Sequence, residues 1–290
     1  MKKYEYYLRD QKLGFENGTE ILKTLYPGRV LAGWPPITYA PEENEQLLSG
    51  LNDYGIPTER VEITANEYEN YLSAAGYRKK YPDYYPENFY EKTFEHFLAL
   101  KLLDPQKKDI FIDIGAEHSP HAEIFSRLRG CHGYMQDIMM KPGISGNKIG
   151  CDASAIPVRD SFFSSILAAC AIEHFENESD IRFMTEVSRI LKTGGRILIL
   201  PLYLHEYPFY ATDPVSSVPG EVRFAEDIKI HCVKDWGNRQ GRFYSPRTLH
   251  DRLIGPHRQN MDFKVIHVNN FQRIHPSVYC RFALLGEKKS

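Results

Sequence analysis

The chain has 290 residues, a formal net charge of −2 and 42% hydrophobic residues. That length holds one large domain, or one domain with a substantial extension, and the apolar fraction is enough to build a core. The near-neutral balance excludes a strong overall electrostatic footprint for nucleic acid or acidic lipid.

The five cysteines, Cys131, Cys151, Cys170, Cys232 and Cys280, are scattered, odd in number and lack a C-x-x-C pair. A reducing compartment is expected, and a disulfide framework is not. Neither Cys131/His132 nor His231/Cys232 has zinc-site spacing, so no metal is expected. The start, MKKYEYYLRD, has no apolar signal core, and the longest apolar run, RILILPLYL, is too short for a bilayer. The expectation is a cytoplasmic protein without a membrane partner.

Thirteen of the nineteen tyrosines lie in residues 1–90, among many prolines, as in YRKKYPDYYPENFYEK. Prolines at this density break long helices, so residues 1–86 are predicted to form an irregular or helical cap that packs rings against another surface. Within it, Thr64 and Glu67 have the spacing of a capping box. Residues 87–103, ENFYEKTFEHFLALKLL, place Tyr90, Phe94, Phe97 and Leu98 at helical intervals, which predicts an amphipathic helix ending at Asp104-Pro105.

From residue 109 short apolar runs alternate with helical stretches. DIFIDIG, HGYMQD, NKIGCDA, SSILAACAI and GRILILPLY read as strands; SPHAEIFSRLR and ESDIRFMTEVSRILK read as helices. Such alternation predicts a mostly parallel sheet covered on both faces. SPRTLHDRLI reads as a helix with Ser245 as N-cap and Pro246 at its first position. FKVIHV and YCRFALLGE follow with no helix between them, so these two strands must be antiparallel neighbours.

Ligands of open parallel sheets bind beyond the carboxyl ends of the strands. Asp113 and Gly115 end the first strand, Asp137 the second and Asp152 the third. Asp137 follows Asp113 by twenty-four residues, near the ~20-residue offset of an acid that grips a ribose diol. There is no G-x-x-x-x-G-K-[ST] loop and no basic cradle, so an acidic site for a ligand without phosphate is the better reading. The absence of G-x-G-x-x-G disfavours a dinucleotide dehydrogenase.

The run from Gly150 to Leu200 resembles the second half of class I S-adenosylmethionine-dependent methyltransferases, of the type-11, ubiquinone-biosynthesis-like group. The residues that carry the resemblance are Asp152-Ala153, Ile156-Pro157, Asp160-Ser161-Phe162, Glu173-His174 and the phrase from Arg189 to Gly195. Thr193 stands where that phrase usually has proline. The resemblance covers residues 109–201 and reaches more loosely through RFYSPRTLHDRLI. It implies a Rossmann-like, doubly wound α/β fold with a mostly parallel seven-stranded sheet and an antiparallel last strand, spanning 87–290 behind the Tyr/Pro-rich extension. S-adenosyl-L-methionine would be the cofactor and S-adenosyl-L-homocysteine the product. Its binding residues would be Asp113, Gly115, Ala116 and Glu117 in the first loop, Asp137 on the ribose hydroxyls, and Ile138. Asp152, Ala153 and Ala171 would complete them near the adenine.

The family's first loop runs acid-x-Gly-x-Gly-x-Gly, and here that register gives Asp113, Gly115, Glu117 and Ser119. Two glycines are lost, which predicts a slightly wider loop lined by Glu117 and His118. Gly194-Gly195 reads as a left-handed turn. In families of this kind the acceptor is framed by residues after the fourth and fifth strands and by the N-terminal cap. His174, Tyr203 and His205 are therefore the candidate catalytic residues. The Tyr-rich segment Tyr81–Tyr90 and the insertion 202–243, with Asp213, His231 and Trp236, are the candidate lid. The Asn/Asp-Pro-Pro-Tyr and Pro-Cys acceptor signatures are missing, which leaves a hydroxyl of a small molecule or saccharide as the expected acceptor, with no nucleic-acid partner. Two other readings stay open: an RNA methyltransferase that stacks bases on YRKKYPDYYPENFY, and a non-catalytic cofactor-binding protein.

Overall fold

The strand–helix alternation after residue 109 forms the expected sheet in a computed structural model, which describes residues 12–116 and 118–290. In chain order the strands are β1 (Val30–Ala32), β2 (Thr58–Val61), β3 (Ile110–Ile114), β4 (His132–Ser145), β5 (Lys148–Gly150), β6 (Phe163–Ala169), β7 (Leu191–Leu200), β8 (Phe209–Thr212), β9 (Lys229–Cys232), β10 (Gly241–Phe243), β11 (Met261–Val268) and β12 (Phe282–Lys288). The helices are α1 (Phe15–Leu25), α2 (Pro41–Asp53), α3 (Ala65–Ala75), α4 (Tyr77–Lys80), α5 (Phe89–Leu103), α6 (His121–Arg129), α7 (Ser179–Ile190), α8 (Pro214–Ser217), α9 (Pro246–Leu249) and α10 (Phe271–Ile274). The chain divides into two compact units, one made of residues up to Tyr54 with Ile172–Ile181 and Tyr203–Leu253, the other of the remainder.

The second unit holds an eight-stranded sheet in the order β2-β11-β12-β7-β6-β3-β4-β5. The pairs β7/β6, β6/β3 and β3/β4 are parallel, and β12 is antiparallel to both β7 and β11. The antiparallel last strand is thus as expected, but the sheet has eight strands where seven were expected. The eighth is β2, which runs parallel to β11 from Thr58↔Val265 to Val61↔Val268. Its sequence, TERV, is largely exposed and too short to show a strand period, so it was hidden in the N-terminal segment. Residues 55–86 contribute β2, α3 and α4 to this unit.

Central strands are mostly apolar because both faces are covered: Phe111, Ile112, Ile166, Leu167, Ile197 and Leu198 are all buried. Helix α5 differs from the expected amphipathic helix. Glu91, Lys92, Glu95 and His96 are buried along with Phe94, Phe97 and Leu98, so it has no wholly solvated face. Most of these polar groups have partners. Glu91 accepts backbone N–H groups of Tyr279 and Cys280 at 2.8 and 3.3 Å. Burial, first, and the nearby Glu95 push the Glu91 carboxyl well above its ordinary range. The Tyr-rich segment supplies other partners: Tyr68 packs its ring against Phe94 and Phe97, and Tyr84 Oη is 2.7 Å from His96 Nε2. Helix α3 starts at the expected capping box, in which Thr64 and Glu67 exchange hydrogen bonds of 3.0 and 3.2 Å.

The first unit holds a four-stranded sheet, β1-β9-β8-β10. The stretch 202–243, expected as a lid, therefore supplies three strands with a core of their own. Tyr210 and Ile230 pack with Leu22, Val222, Phe224 and Cys232, while Phe209 and Ala211 pack with Val233 and Phe243. Alternate residues of β8 serve the two clusters, as a strand's period of two requires. Three- and four-residue strands carry too little period to be found in the sequence. In the same unit Asp180 is fully buried and accepts from Arg252 Nη2 at 2.6 Å, Arg252 Nε at 2.8 Å and Tyr244 Oη at 2.9 Å, and it also pairs with Arg242. Among the described residues no helix is long and apolar enough to cross a membrane.

Candidate functional site

The neighbouring strands β6, β3, the first half of β4 and β5 of the second unit run parallel, so the ends of β6, β3 and β5 and the Asp137 region of β4 lie along one sheet edge, while the second half of β4 returns to set Ser145 opposite Lys148. The expected cofactor residues gather there in sequence terms: Gly115 and Ala116 after β3, Asp152 and Ala153 after β5, and Ala171 after β6. Asp137 and Ile138 lie just before the middle of β4, which runs on to Ser145 instead of ending at Asp137 as expected. Glu117 lies outside the described residues, and its neighbour His118 is exposed.

Gly115 shows why one glycine of this loop is retained. Its φ is +69°, and a Cβ placed on it would lie 3.0 Å from the Cβ of Ala171. A side chain at 115 would be strained and would press on the loop after β6. Gln136, which the sequence reading did not single out, ties the edge together. Its backbone carbonyl accepts from Ala116 N at 3.0 Å, its Nε2 donates to the Cys151 carbonyl at 2.6 Å, and its Oε1 lies 3.4 Å from Gly115 N. An amide directly before the acid of the predicted strand HGYMQD is the signal that could have revealed it.

The three strand-end acids have different surroundings. Asp113 is buried, and its Oδ2 is 3.0 Å from Nδ1 of His121, at the start of α6. Ser119 Oγ accepts from His121 N at 3.2 Å, and the helix begins at His121. Asp137 is buried and accepts from Met139 N at 2.7 Å. Asp152 is exposed; its Oδ1 accepts from Ser154 N and Ser154 Oγ, both at 2.8 Å, closing the turn that follows β5. Beside these acids Ile138 is 43% exposed, while Ala153 and Ala171 are buried small residues. The edge is therefore acidic, with one exposed apolar side chain. Partial burial pushes the Cys151 thiol up to about 11, so it is a neutral neighbour of Asp152 at physiological pH.

The spaced motif between Ile156 and Arg189 has a physical cause. Arg189 donates to both carboxylate oxygens of Glu186, to the carbonyls of Ile156 and Val158, and to Asp160 Oδ1. Glu186 Oε1 in turn accepts from Ile156 N at 2.7 Å. One guanidinium thus fastens the segment that leads away from Asp152.

The candidate catalytic residues all belong to the first unit. His174 Nδ1 is 2.7 Å from the Gln240 carbonyl, so the N–H is on Nδ1 and the neutral ring keeps its lone pair on Nε2. Glu173 Oε1 lies 3.7 Å from Nε2, and the His174 side chain is 39% exposed. Gln240 itself is anchored by donating Nε2 to the Phe175 carbonyl at 2.9 Å. His205 is buried, edge-on to Tyr207 and Phe209, and Tyr203 packs against Phe243 at 5.0 Å between centroids. These two side chains belong to the aromatic core of the unit. His231, of the expected lid, gives Nδ1–H to the Gly33 carbonyl at 2.8 Å, and burial lowers its pKa.

Residues 136–199 match the family model of a methyltransferase domain. No curated protein matches the sequence. Similar solved structures include phosphoethanolamine N-methyltransferase 2 of Haemonchus contortus in complex with S-adenosyl-L-methionine, at 12% identity, covering 74% of this chain and 60% of that one with a TM-score of 0.44. The YcgJ protein of Bacillus subtilis is 15% identical, over 68% of this chain and 98% of that one, with a TM-score of 0.39. The complex of the Haloferax volcanii Trm112 methyltransferase activator with a methyltransferase gives 10% identity over 79% and 100%, with a TM-score of 0.46.

Proposed function

We propose that this chain, a class I S-adenosylmethionine-dependent methyltransferase, methylates a hydroxyl group of a small molecule or saccharide, with His174 as the proton acceptor. The observation that carries the reading is the state of the His174 ring. Its Nδ1–H is held by the Gln240 carbonyl, its Nε2 is the basic atom, and Glu173 stands 3.7 Å from that atom to favour the proton once taken. A hydroxyl acceptor must lose a proton as it attacks, and a positioned imidazole typically contributes about 10²–10⁴-fold to such a step.

The residues of the sheet edge fit the cofactor in charge and size. Asp137 would take the ribose hydroxyls, Ile138 and Ala153 the adenine, and Gly115 with Ala116 the methionine end. The acids suit a ligand with a sulfonium and an ammonium and no phosphate. Bound there, S-adenosyl-L-methionine supplies a methyl carbon already activated by its sulfonium leaving group.

The test pairs calorimetric titration of S-adenosyl-L-methionine with a radiolabelled methyl-transfer screen over phenols, aliphatic alcohols and saccharides. Binding is expected, with turnover on a hydroxyl acceptor that His174→Gln lowers by about 10²–10⁴-fold while cofactor affinity is kept. Transfer to RNA or to amines with unchanged rate in His174→Gln would overturn the acceptor and base assignments. No binding at millimolar ligand would overturn the cofactor placement.

A further inference from the structure

One contact in the second unit carries chemistry that methyl transfer does not use. Lys92 on α5 and Cys170, the residue after β6, approach so closely that Nζ is 2.7 Å from Sγ. Glu95 completes the group: Lys92 Nζ donates to its Oε1 at 3.0 Å, and Cys170 Sγ is 3.3 Å from the same oxygen. Lys92 and Glu95 are buried, Cys170 is half-buried, and none of the five cysteines is in a disulfide.

The separation decides the reading. N–H···O hydrogen bonds span about 2.7–3.2 Å. Sulfur is larger than oxygen, so an N–H···S hydrogen bond is longer, and 2.7 Å is short for one. It is the distance that two single bonds to one shared oxygen atom would set. The approach is held by the backbone. Cys170 has φ +47°, uncommon for a residue with a side chain, and its N–H donates to the Leu200 carbonyl at 2.9 Å. Burial opposes the charge on Lys92, but Glu95 and Cys170 outweigh it and raise its pKa, so its nitrogen is an ammonium in the reduced protein.

We propose that Lys92 and Cys170 form a reversible Nζ–O–Sγ bridge, a redox modification site whose oxygen atom comes from peroxide. As its thiolate, Cys170 attacks one peroxide oxygen; the S–O bond forms, the O–O bond breaks, and the leaving hydroxide takes a proton from the Lys92 ammonium, giving a sulfenic acid, an amine and water. A second peroxide accepts two further electrons as the sulfenic oxygen bonds to the lysine nitrogen. The sulfenic O–H and one amine N–H are lost, and this peroxide leaves as two waters. Sulfur and nitrogen together give up four electrons, and four equivalents of a thiol return them as two disulfides, releasing thiol, amine and one water. The bridged nitrogen is no longer an ammonium, so Glu95 loses that cation on oxidation. The residue after Cys170 is Ala171, which abuts Gly115, so the link is placed next to the proposed cofactor edge.

The test uses the full-length protein, treated with hydrogen peroxide, digested without reductant and mapped by mass spectrometry. The expected product joins the Lys92 and Cys170 peptides, heavier by one oxygen and lighter by two hydrogens than their sum. It disappears on treatment with dithiothreitol and does not form in Lys92→Arg or Cys170→Ser. Recovery of Cys170 as a free thiol, a trapped sulfenic acid, a sulfinic acid or a disulfide, with the Lys92 peptide unmodified, would overturn the proposal. The wild-type map decides the matter even if a variant fails to fold, and it reads the bridge whether or not the chain binds S-adenosylmethionine.

Discussion

Replacing Arg189 with methionine tests whether one guanidinium holds the segment after Asp152. The side chain makes bonds of 2.9 and 2.7 Å to the two oxygens of Glu186, 2.9 Å to the Ile156 carbonyl, 2.8 Å to the Val158 carbonyl and 2.8 Å to Asp160. Side-chain exposure separates these partners: Glu186 is 9% exposed, Arg189 34% and Asp160 78%. The exposed Asp160 pair is worth only about 0–1 kcal/mol. Breaking a buried pair typically costs about 3–5 kcal/mol, and the one-third exposure of Arg189 reduces that to about 2–3 kcal/mol here. The carbonyl bonds add about 1 kcal/mol, since water replaces part of them. The sum for Arg189→Met is about 3–5 kcal/mol of folding stability.

The assay is urea unfolding, read as a midpoint shift at unchanged slope, with Asp160→Asn as the internal control at within about 0.5 kcal/mol. Cofactor affinity of the folded Arg189→Met protein is also expected to fall, because Asp152 sits at the start of the freed segment. An Arg189→Met midpoint within error of wild type, or an Asp160→Asn loss as large as the arginine's, would refute the reasoning.

Three further outcomes are expected. Asp180→Asn leaves Arg242 and Arg252 without their buried carboxylate and should cost about 3–5 kcal/mol at neutral pH. Burial alone would raise the Asp180 carboxyl, but the bonds and charges of Arg252 and Arg242 outweigh it and hold it below its ordinary value. Its contribution is therefore present above the unfolded pKa of about 3.9 and lost as pH falls through the lower folded value. Urea midpoints of the two proteins should accordingly converge on acidification, and a constant gap down to the acid transition would contradict this. Gly115→Val should fold, by circular dichroism, yet fail to give heat with S-adenosyl-L-methionine, because the side chain is strained at φ +69° and meets Ala171; wild-type binding would show that the loop is not where the cofactor sits. Asp137→Ala should weaken the same titration roughly ten- to hundredfold, from the about 1.5–3 kcal/mol of a hydrogen bond to a charged group, and unchanged affinity would remove Asp137 from the ribose role.

The parts of the fold legible in the sequence were those whose pattern repeats within one element. IFIDIG, SSILAACAI and RILIL carry near-continuous apolar runs because both faces of their strands are covered, and this placed β3, β6 and β7. The Thr64–Glu67 and Ser245 caps were readable because the partners lie three residues apart. The rest depends on residues far apart in the chain. β2 and β1 are short strands that exist only through β11 and β9, more than 190 positions away. The polar face of α5 looked solvated because its cover, Tyr68, Tyr77 and Tyr84, could not be paired with it in advance. At the site, strand-end acids follow from topology, but the function of Gln136 and Gln240 depends on which backbone groups stand opposite them. No local spacing encodes that.

The glycine-poor first loop and the tyrosine-rich segment are parts of one device. Asp113 turns inward to His121, whose ring is in contact with His96. His96 is held on both ring nitrogens, Nδ1 by Tyr77 Oη and Nε2 by Tyr84 Oη at 2.7 Å, and Tyr77 Oη lies 2.8 Å from Tyr71 Oη. A neutral imidazole has one donor and one acceptor, so two hydroxyls satisfy it, and burial followed by the nearby His121 and Lys92 lowers its pKa well below the ordinary value. The strand-end acid is thereby braced through side chains from α3, α4 and α5, all within the second unit. Glycines let a loop adopt a conformation that side chains disfavour, but they do not hold it there. Where the position of the acid is fixed from behind by a packed, hydrogen-bonded layer, a loop with Gly115 alone can still meet a ligand, and the glycines at the two later positions become replaceable.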